Sequence, residues 1–331
     1  MIPVKPKKAP STKTSGAPPA RGPRGGRSGR PGAATAAVHP ATMRDWIAGA
    51  RARTLPLAIS PVIIGFGAAT LIDPPGIWHP IRGILCLAVA LFLQIGVNFA
   101  NDYSDGIRGT DSYRVGPSRL TGSGKASPAA VRSVALLFFA LGALAGLTLV
   151  ILTHQWWIVL VGAAAIAAAW FYTGGKRPYG YYALGEVFVF IFFGLVATLG
   201  TTYMLTGSTN QEAWLGATMA GLIACAVLMV NNIRDIEPDR LAHKRTLAAL
   251  LGNRASRIIF CVLVLLSFGV LALLALFYPV AWFGMFALLM ALPACVITLF
   301  ARTGKELILA LQLTSVTGLV LAVALGTAFV V

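Results

Sequence analysis

This sequence predicts an all-α polytopic membrane protein with nine transmembrane helices, on three observations. Hydrophobic residues make up 57% of the chain and charged residues 11%, whereas an ordinary soluble domain carries about 25% charged residues. Nine apolar runs each approach the roughly 20 residues that a helix needs to cross a ~30 Å hydrocarbon core. Basic residues fall almost wholly in alternate connections between those runs. Backbone polar groups in lipid must be satisfied within the segment, which favours helices, and no repeating strand alternation competes with them.

Residues 1–42 come first, with eight Lys/Arg and no acid among many Pro, Gly and Ser residues. That composition cannot bury a core, so a disordered tail is expected ahead of a membrane domain over 43–331. Its charge suits loose association with anionic lipid. It is Arg-rich and acid-free like a transit peptide, but it is broken by Pro and Gly and lacks apolar residues at helical spacing. Arg44, Arg51 and Arg53 precede the first run, 54–72. The second run, 80–101, is followed by Arg108, Arg114, Arg119, Lys125 and Arg132. The third and fourth, 129–152 and 155–173, lead to Lys176 and Arg177. The fifth and sixth, 183–206 and 213–233, lead to six basic residues between Arg234 and Arg257. After the seventh and eighth, 256–277 and 279–300, come Arg302 and Lys305, and the ninth covers 307–330.

Only Arg82 lies on the opposite side, so the positive-inside rule puts the amino terminus and these loops in the cytoplasm and the carboxyl end outside. The net charge of +16 is thereby assigned to the tail and to membrane topology, and a nucleic-acid partner is not expected. Cys86, Cys225, Cys261 and Cys295 stand singly in apolar runs, as small buried hydrophobes do. The four histidines are dispersed, and neither zinc nor haem is expected.

Eleven acidic residues are available in 331, yet two clusters of them close apolar runs. NFANDYSDGIRGTD at 98–111 follows the second run, and NNIRDIEPDR at 231–240 follows the sixth. The two occupy corresponding places in two four-helix halves with one helix left over. The loops RLTGSGKAS (119–127) and KRTLAALLGNRAS (244–256) echo each other, a weak sign of internal duplication. Asn98, Asn101, Asp102 and Asp105 share one helical face, and Asn231, Asp235 and Asp239 are spaced by four beside Asn232. Pro238 is expected to end or kink its helix. Asp111 follows Gly106 and Gly109, which suggests a loop folding back over the site.

Carboxylates at a helix carboxyl end oppose its dipole at roughly 0.3–1 kcal/mol each, and stacked like charges add to that. A penalty borne twice at matching places implies a bound cation. Oxygen donors without His or Cys point to Mg²⁺, which takes one or two carboxylates together with substrate phosphate oxygens. A diphosphate site bridged by metal between the two acidic clusters is the resulting expectation. Arg119, Lys125, Lys244, Arg245, Lys176 and Arg177 flank it and suit an anionic leaving group. The plainer alternative makes the acids solvated helix caps and the cations simple topology signals. A transporter would also carry membrane carboxylates, but usually deeper in the bilayer. GSGK at 122–125 is not a nucleotide loop, because Arg119 and Ala126 stand where Gly and Ser/Thr are required.

These paired motifs resemble the UbiA-type intramembrane prenyltransferases over residues 44–331. RARTLPLAISPVIIG (51–65), GPSRLTGSG (116–124), YTGGKRPYGY with GEVFVFIFFG (172–194) and DIEPDRLAHKRTLA (235–248) resemble the menaquinone branch. Lys176 departs from a typical YTGGP loop. The resemblance implies Mg²⁺-dependent transfer of a polyprenyl group from polyprenyl diphosphate to 1,4-dihydroxy-2-naphthoate, with loss of carbon dioxide, giving demethylmenaquinone at the cytoplasmic face of the cell membrane. It also implies Mg²⁺ held through Asp102, Asp105, Asp235 and Asp239, with Asp111 as a further candidate. It implies too an allylic cation that Tyr172, Tyr179 and Phe188 could face, Arg53 at the naphthoate carboxylate, and Glu186 as an orienting group or base. A related enzyme acting on 4-hydroxybenzoate, homogentisate, chlorophyllide or haem stays open as an alternative, as does an ion-coupled carrier. Donor chain length and oligomeric state are tertiary and quaternary properties that the residues do not specify.

Overall fold

Prolines and short polar side chains mark where the helices begin. Pro56, Pro80 and Pro128 stand in first turns, where a missing N–H loses no helical hydrogen bond. Thr42 and Thr303 form capping boxes with Asp45 and Glu306, while Ser127, Asn210 and Thr246 each accept a first-turn amide. The computed structural model describes residues 39–72, 79–110 and 119–331. Its helices in chain order are α1 Met43–Gly49, α2 Pro56–Ala69, α3 Pro80–Ile107, α4 Pro128–Thr153, α5 Ile158–Phe171, α6 Gly185–Thr206, α7 Gln211–Arg234, α8 Ile236–Leu241, α9 Leu247–Leu251, α10 Asn253–Ala275, α11 Pro279–Phe300 and α12 Gly304–Val330. Among the described residues β pairing amounts to one isolated bridge, Tyr182 with Arg245.

Among the described residues, seven helices are long and apolar enough to cross a membrane: α3, α4, α6, α7, α10, α11 and α12. An eighth crossing arises if Met43–Thr54 and α2, bent by 48°, count as one span. The nine expected runs all fall on helices, but α5 has only 14 residues, about 21 Å at 1.5 Å per residue. Large apolar side chains such as Leu160, Leu289 and Phe300 are three-quarters exposed, as lipid-facing residues are in a multi-pass membrane protein. The expected tail falls on residues 1–38, outside the described residues, except for its last four positions.

Small residues let the helices approach closely. A Cβ on Gly67 of α2 would stand 2.6 Å from the Gly326 carbonyl of α12, and one on Gly194 of α6 would stand 2.7 Å from the Ala217 carbonyl of α7. Gly194 lies in a π-helical stretch, Phe190–Val196, that widens α6 where it meets α7. Helix α7, rich in Ala, Gly and Met, is 72% buried over its apolar window against 28% for α6. It forms the axis of a core shared with α2, α10, α11 and α12. A second cluster joins α1, α3, α4 and α5. The carboxyl ends of α3 and α7 carry the two acidic motifs.

Candidate active site

Helix α3 runs unbroken to Ile107, so its motif stays on one buried face. Asn98 Nδ2 donates to the Ala50 carbonyl at 2.9 Å. Asn101 Oδ1 accepts from Thr173 Oγ1 at 2.7 Å, and its carbonyl accepts from Arg119 at 2.8 Å. Asp102 spends both oxygens on backbone, accepting from the Leu120 and Thr121 amides at 2.9 Å each. Its carboxylate therefore anchors the loop that follows the helix. Asp105 accepts from Arg119 Nη1 at 2.7 Å on one oxygen and from the Tyr181 hydroxyl at 3.0 Å on the other.

The second motif is built differently. Pro238 cannot donate an N–H, and its ring would clash with the carbonyl four residues back, which belongs to Arg234. Helix α7 ends at that residue, Asp235 takes a non-helical conformation (φ −101°, ψ 12°), and α8 restarts at Ile236 with Pro238 in its first turn. Asp235 receives a two-point ion pair from Arg234, at 2.7 and 2.5 Å. Asp239 accepts from Thr246 Oγ1 at 3.2 Å and lies 3.6 Å from Lys244 Nζ. Asn232 donates to Glu186 Oε1 at 3.1 Å, and Asn231 is half-buried beside it.

Lys244 is where the two motifs meet. Its ammonium stands beside Asp239 and 5.3 Å from the centre of the Tyr181 ring, whose hydroxyl bonds to Asp105. Burial acts to lower the Lys244 pKa, but Asp239 and Asp105 outweigh it, and the net shift is upward. Burial raises the Asp239 carboxyl; Lys244 pulls it down while Asp235 and Asp105 push it up, and the net shift is upward. Carboxylates from both motifs thus act on one cationic position.

That position fits a divalent ion by donor chemistry. Among the described residues, no three His, Cys, Asp or Glu side chains converge on one point. Mg²⁺ does not need three, since phosphate oxygens and water complete its shell. Asp105 and Asp239 are the two carboxylates that already face a cation, Lys244, and Asp235 lies next to them.

Other expected residues are distributed unevenly around this centre. Tyr172, Tyr179 and Phe188 form one aromatic cluster, with Tyr172 edge-on to Tyr179 at 5.5 Å between ring centres and Phe188 stacked on Tyr179 at 4.1 Å. Burial raises the Tyr172 and Tyr179 hydroxyls far above their ordinary range. Arg53 is half-buried and close enough to Arg234 for the two guanidiniums to repel. Lys125 does not flank the carboxylates as expected, because Asp45 takes its ammonium at 2.6 Å. Arg177 is exposed, whereas Lys176 and Arg245 line a cavity outside Tyr181. Asp111 lies outside the described residues. Sequence reasoning missed Tyr181, Arg108 and His243, although the YGYY run and the one cation inside the first motif were visible signals.

A lipid-embedded helical bundle that presents two aspartate motifs at the ends of matching helices is the architecture of an intramembrane prenyltransferase. The chain belongs to the UbiA prenyltransferase family, whose profile matches residues 58–305. It is 46% identical over 288 residues to the 1,4-dihydroxy-2-naphthoate octaprenyltransferase of Mycobacterium tuberculosis, covering 87% of this chain and 97% of that one. It is 36% identical over 252 residues to the enzyme of the same description from Escherichia coli, covering 74% and 81%. Among solved structures, an apo UbiA homologue from Aeropyrum pernix has a TM-score of 0.62 at 17% identity, over 79% of this chain and 95% of that one. A UbiA homologue from Archaeoglobus fulgidus bound to DMAPP and Mg²⁺ has a TM-score of 0.57 at 16% identity, over 86% and 99%. At such identities the likeness shows the fold.

Proposed function

We propose that this chain transfers a polyprenyl group from polyprenyl diphosphate to 1,4-dihydroxy-2-naphthoate, releasing diphosphate and carbon dioxide, in menaquinone biosynthesis. The observation that carries this reading is the meeting of Asp105 and Asp239 at Lys244, in a chain nearly half identical to a dihydroxynaphthoate prenyltransferase. Asp105, Asp239 and Asp235 would hold Mg²⁺, with Asp102 keeping the α3–α4 loop against the site. Mg²⁺, when bound, supplies charge neutralisation for the departing diphosphate. Lys244 and Arg119 add positive charge where the leaving oxygens develop theirs. Lys176, Arg245 and Arg177 supply further cations on the aqueous side.

The clustered rings of Tyr172, Tyr179 and Phe188 offer π-faces to the allylic cation, and burial keeps the two phenols protonated. The electron-rich naphthoate ring then attacks, and carbon dioxide is lost. Arg53 is the group suited to the naphthoate carboxylate, because neighbouring Arg234 is already paired with Asp235. Glu186, hydrogen-bonded to Asn232, orients the groups around Lys244. Asn98, Asn101 and Asn231 maintain the polar lining. We place the catalytic face in the cytoplasm and the protein in the plasma membrane. Nine crossings are counted with α5 as the shortest, and the basic tail over residues 1–42 stays outside the catalytic domain.

Purified protein given Mg²⁺, a polyprenyl diphosphate and dihydroxynaphthoate should form a decarboxylated prenyl product detectable by mass spectrometry. A parallel panel of other aromatic acceptors should give little product. Full turnover in excess EDTA, or stronger coupling to another acceptor, would overturn the assignment.

A further inference from the structure

Outside Tyr181 lies a cavity of about 350 Å³, lined by Arg108, Lys176, Tyr181, Tyr182, His243 and Arg245. Its cations differ from their neighbours in the same loops. Arg119, Lys125, Arg234, Arg240 and Lys244 are each paired with a carboxylate. Among the described residues no carboxylate pairs with Arg108, Lys176 or Arg245. Ordinary topology signals would not gather three such charges around one void.

The walls are also held in place. Arg108 donates to the carbonyls of Thr173 and Gly175, and its guanidinium lies 5.4 Å from the centre of the Tyr181 ring. The Arg245 amide donates to the Tyr181 carbonyl at 3.1 Å. His243 and Ala183, next to the two ends of that connection, have φ of 54° and 56°. Left-handed conformations at non-glycine residues are unfavourable on their own and persist where the surrounding structure fixes them. The Tyr182–Arg245 bridge and the main-chain bond to Tyr181 are what hold the cavity's two strips of backbone together.

Among the described residues no carboxylate lines this space, and three cationic side chains do, a lining that suits an anion rather than a metal. Guanidinium and ammonium groups offer only donors, and phenol hydroxyls can add more, which together match phosphate oxygens. Tyr181 forms the shared wall with the carboxylate centre through its 3.0 Å bond to Asp105. We propose that this cavity is a metal-independent phosphate-oxyanion site. Its occupant is inorganic diphosphate leaving the carboxylate centre, a role that rests on the proposed function, or the headgroup of an anionic phospholipid.

The test uses full-length protein in phosphatidylcholine nanodiscs with EDTA, titrated calorimetrically with inorganic diphosphate. One site is expected. Arg245→Gln keeps the main-chain bond to Tyr181 and should weaken binding about tenfold, as should the exposed Lys176→Gln, with melting curves confirming that both fold. Asp105→Asn should not weaken it. Repeating the titration in discs containing phosphatidylglycerol separates the sources: an unchanged affinity assigns the site to free diphosphate, and competition assigns it to lipid. Absence of binding in either disc, binding indifferent to both cation variants, or binding lost in Asp105→Asn would overturn the proposal. Prenyl transfer measured separately with Mg²⁺ reports on the proposed function alone, so the two can fail independently.

Discussion

The two acidic motifs occupy matching places in the chain yet hold their carboxylates by different means. The first rides on a continuous helix, and the second straddles a break at Asp235. Each is followed by a loop that returns a cation to one of the motif's carboxylates. Arg119 reaches Asp105 at 2.7 Å, with Tyr181 bonding the other oxygen, whereas Lys244 reaches Asp239 at only 3.6 Å and also feels Asp105. A tight pair with a hydrogen bond on each oxygen is rigid; a long contact shared between two carboxylates can be exchanged. In the proposed mechanism the first motif serves as scaffold plus one working carboxylate, and the second supplies the adjustable cation.

The sharpest way to break this comparison is to neutralise the innermost acid of each motif. Asp105→Asn and Asp239→Asn should each lower turnover by about 100- to 1000-fold while the protein keeps its melting temperature. A loss confined to one of them would show that the motifs do not share a site. Lys244→Met should cost less, roughly tenfold in turnover. It should also tighten Mn²⁺ binding in the absence of donor, read by electron paramagnetic resonance, because an internal competitor has been removed. Weaker Mn²⁺ binding would instead make Lys244 a support for the acids.

Asp102→Asn probes the scaffold half. Both oxygens serve backbone amides, and an amide side chain can accept at only one, leaving an unpaired donor that costs about 1–3 kcal/mol. A fall in melting temperature is expected, with a smaller loss of turnover than in Asp105→Asn. Acidification offers a finer measure. The Asp239 carboxyl is raised, with burial the largest cause, and its ionised form binds cations. Mn²⁺ affinity should fall as pH drops through a value above the ordinary carboxylate range, and Asp239→Asn should abolish that limb. Smallest of all, Lys125→Met should leave turnover near wild type, because its partner is Asp45 rather than either motif. A large loss would return Lys125 to the site.

Much of the site was legible from spacing, for identifiable reasons. Helical periodicity puts Asn98, Asn101, Asp102 and Asp105 on one face whatever surrounds them, and the structure buries all four. The break before Asp239 was legible as well, though it falls three residues ahead of Pro238, because the proline acts on a carbonyl one turn earlier. Partner choice was not legible. Lys125 and Lys244 occupy comparable places after their motifs, yet one turns to Asp45 and the other to Asp239. Tyr181 was passed over for Tyr179 because a turn at Tyr179–Tyr181 decides which ring reaches Asp105.

By itself the sequence determined the membrane class, the helix positions, the pairing of two aspartate motifs and the family. These follow from transfer of apolar runs into lipid, from helical geometry and from residue identity, all of which act locally. The tertiary structure alone decided which carboxylates face a shared cation, which merely hold a loop, and that a basic cavity adjoins them. Those outcomes depend on how loops more than a hundred residues apart return to one place, and no spacing along the chain encodes a distance across it.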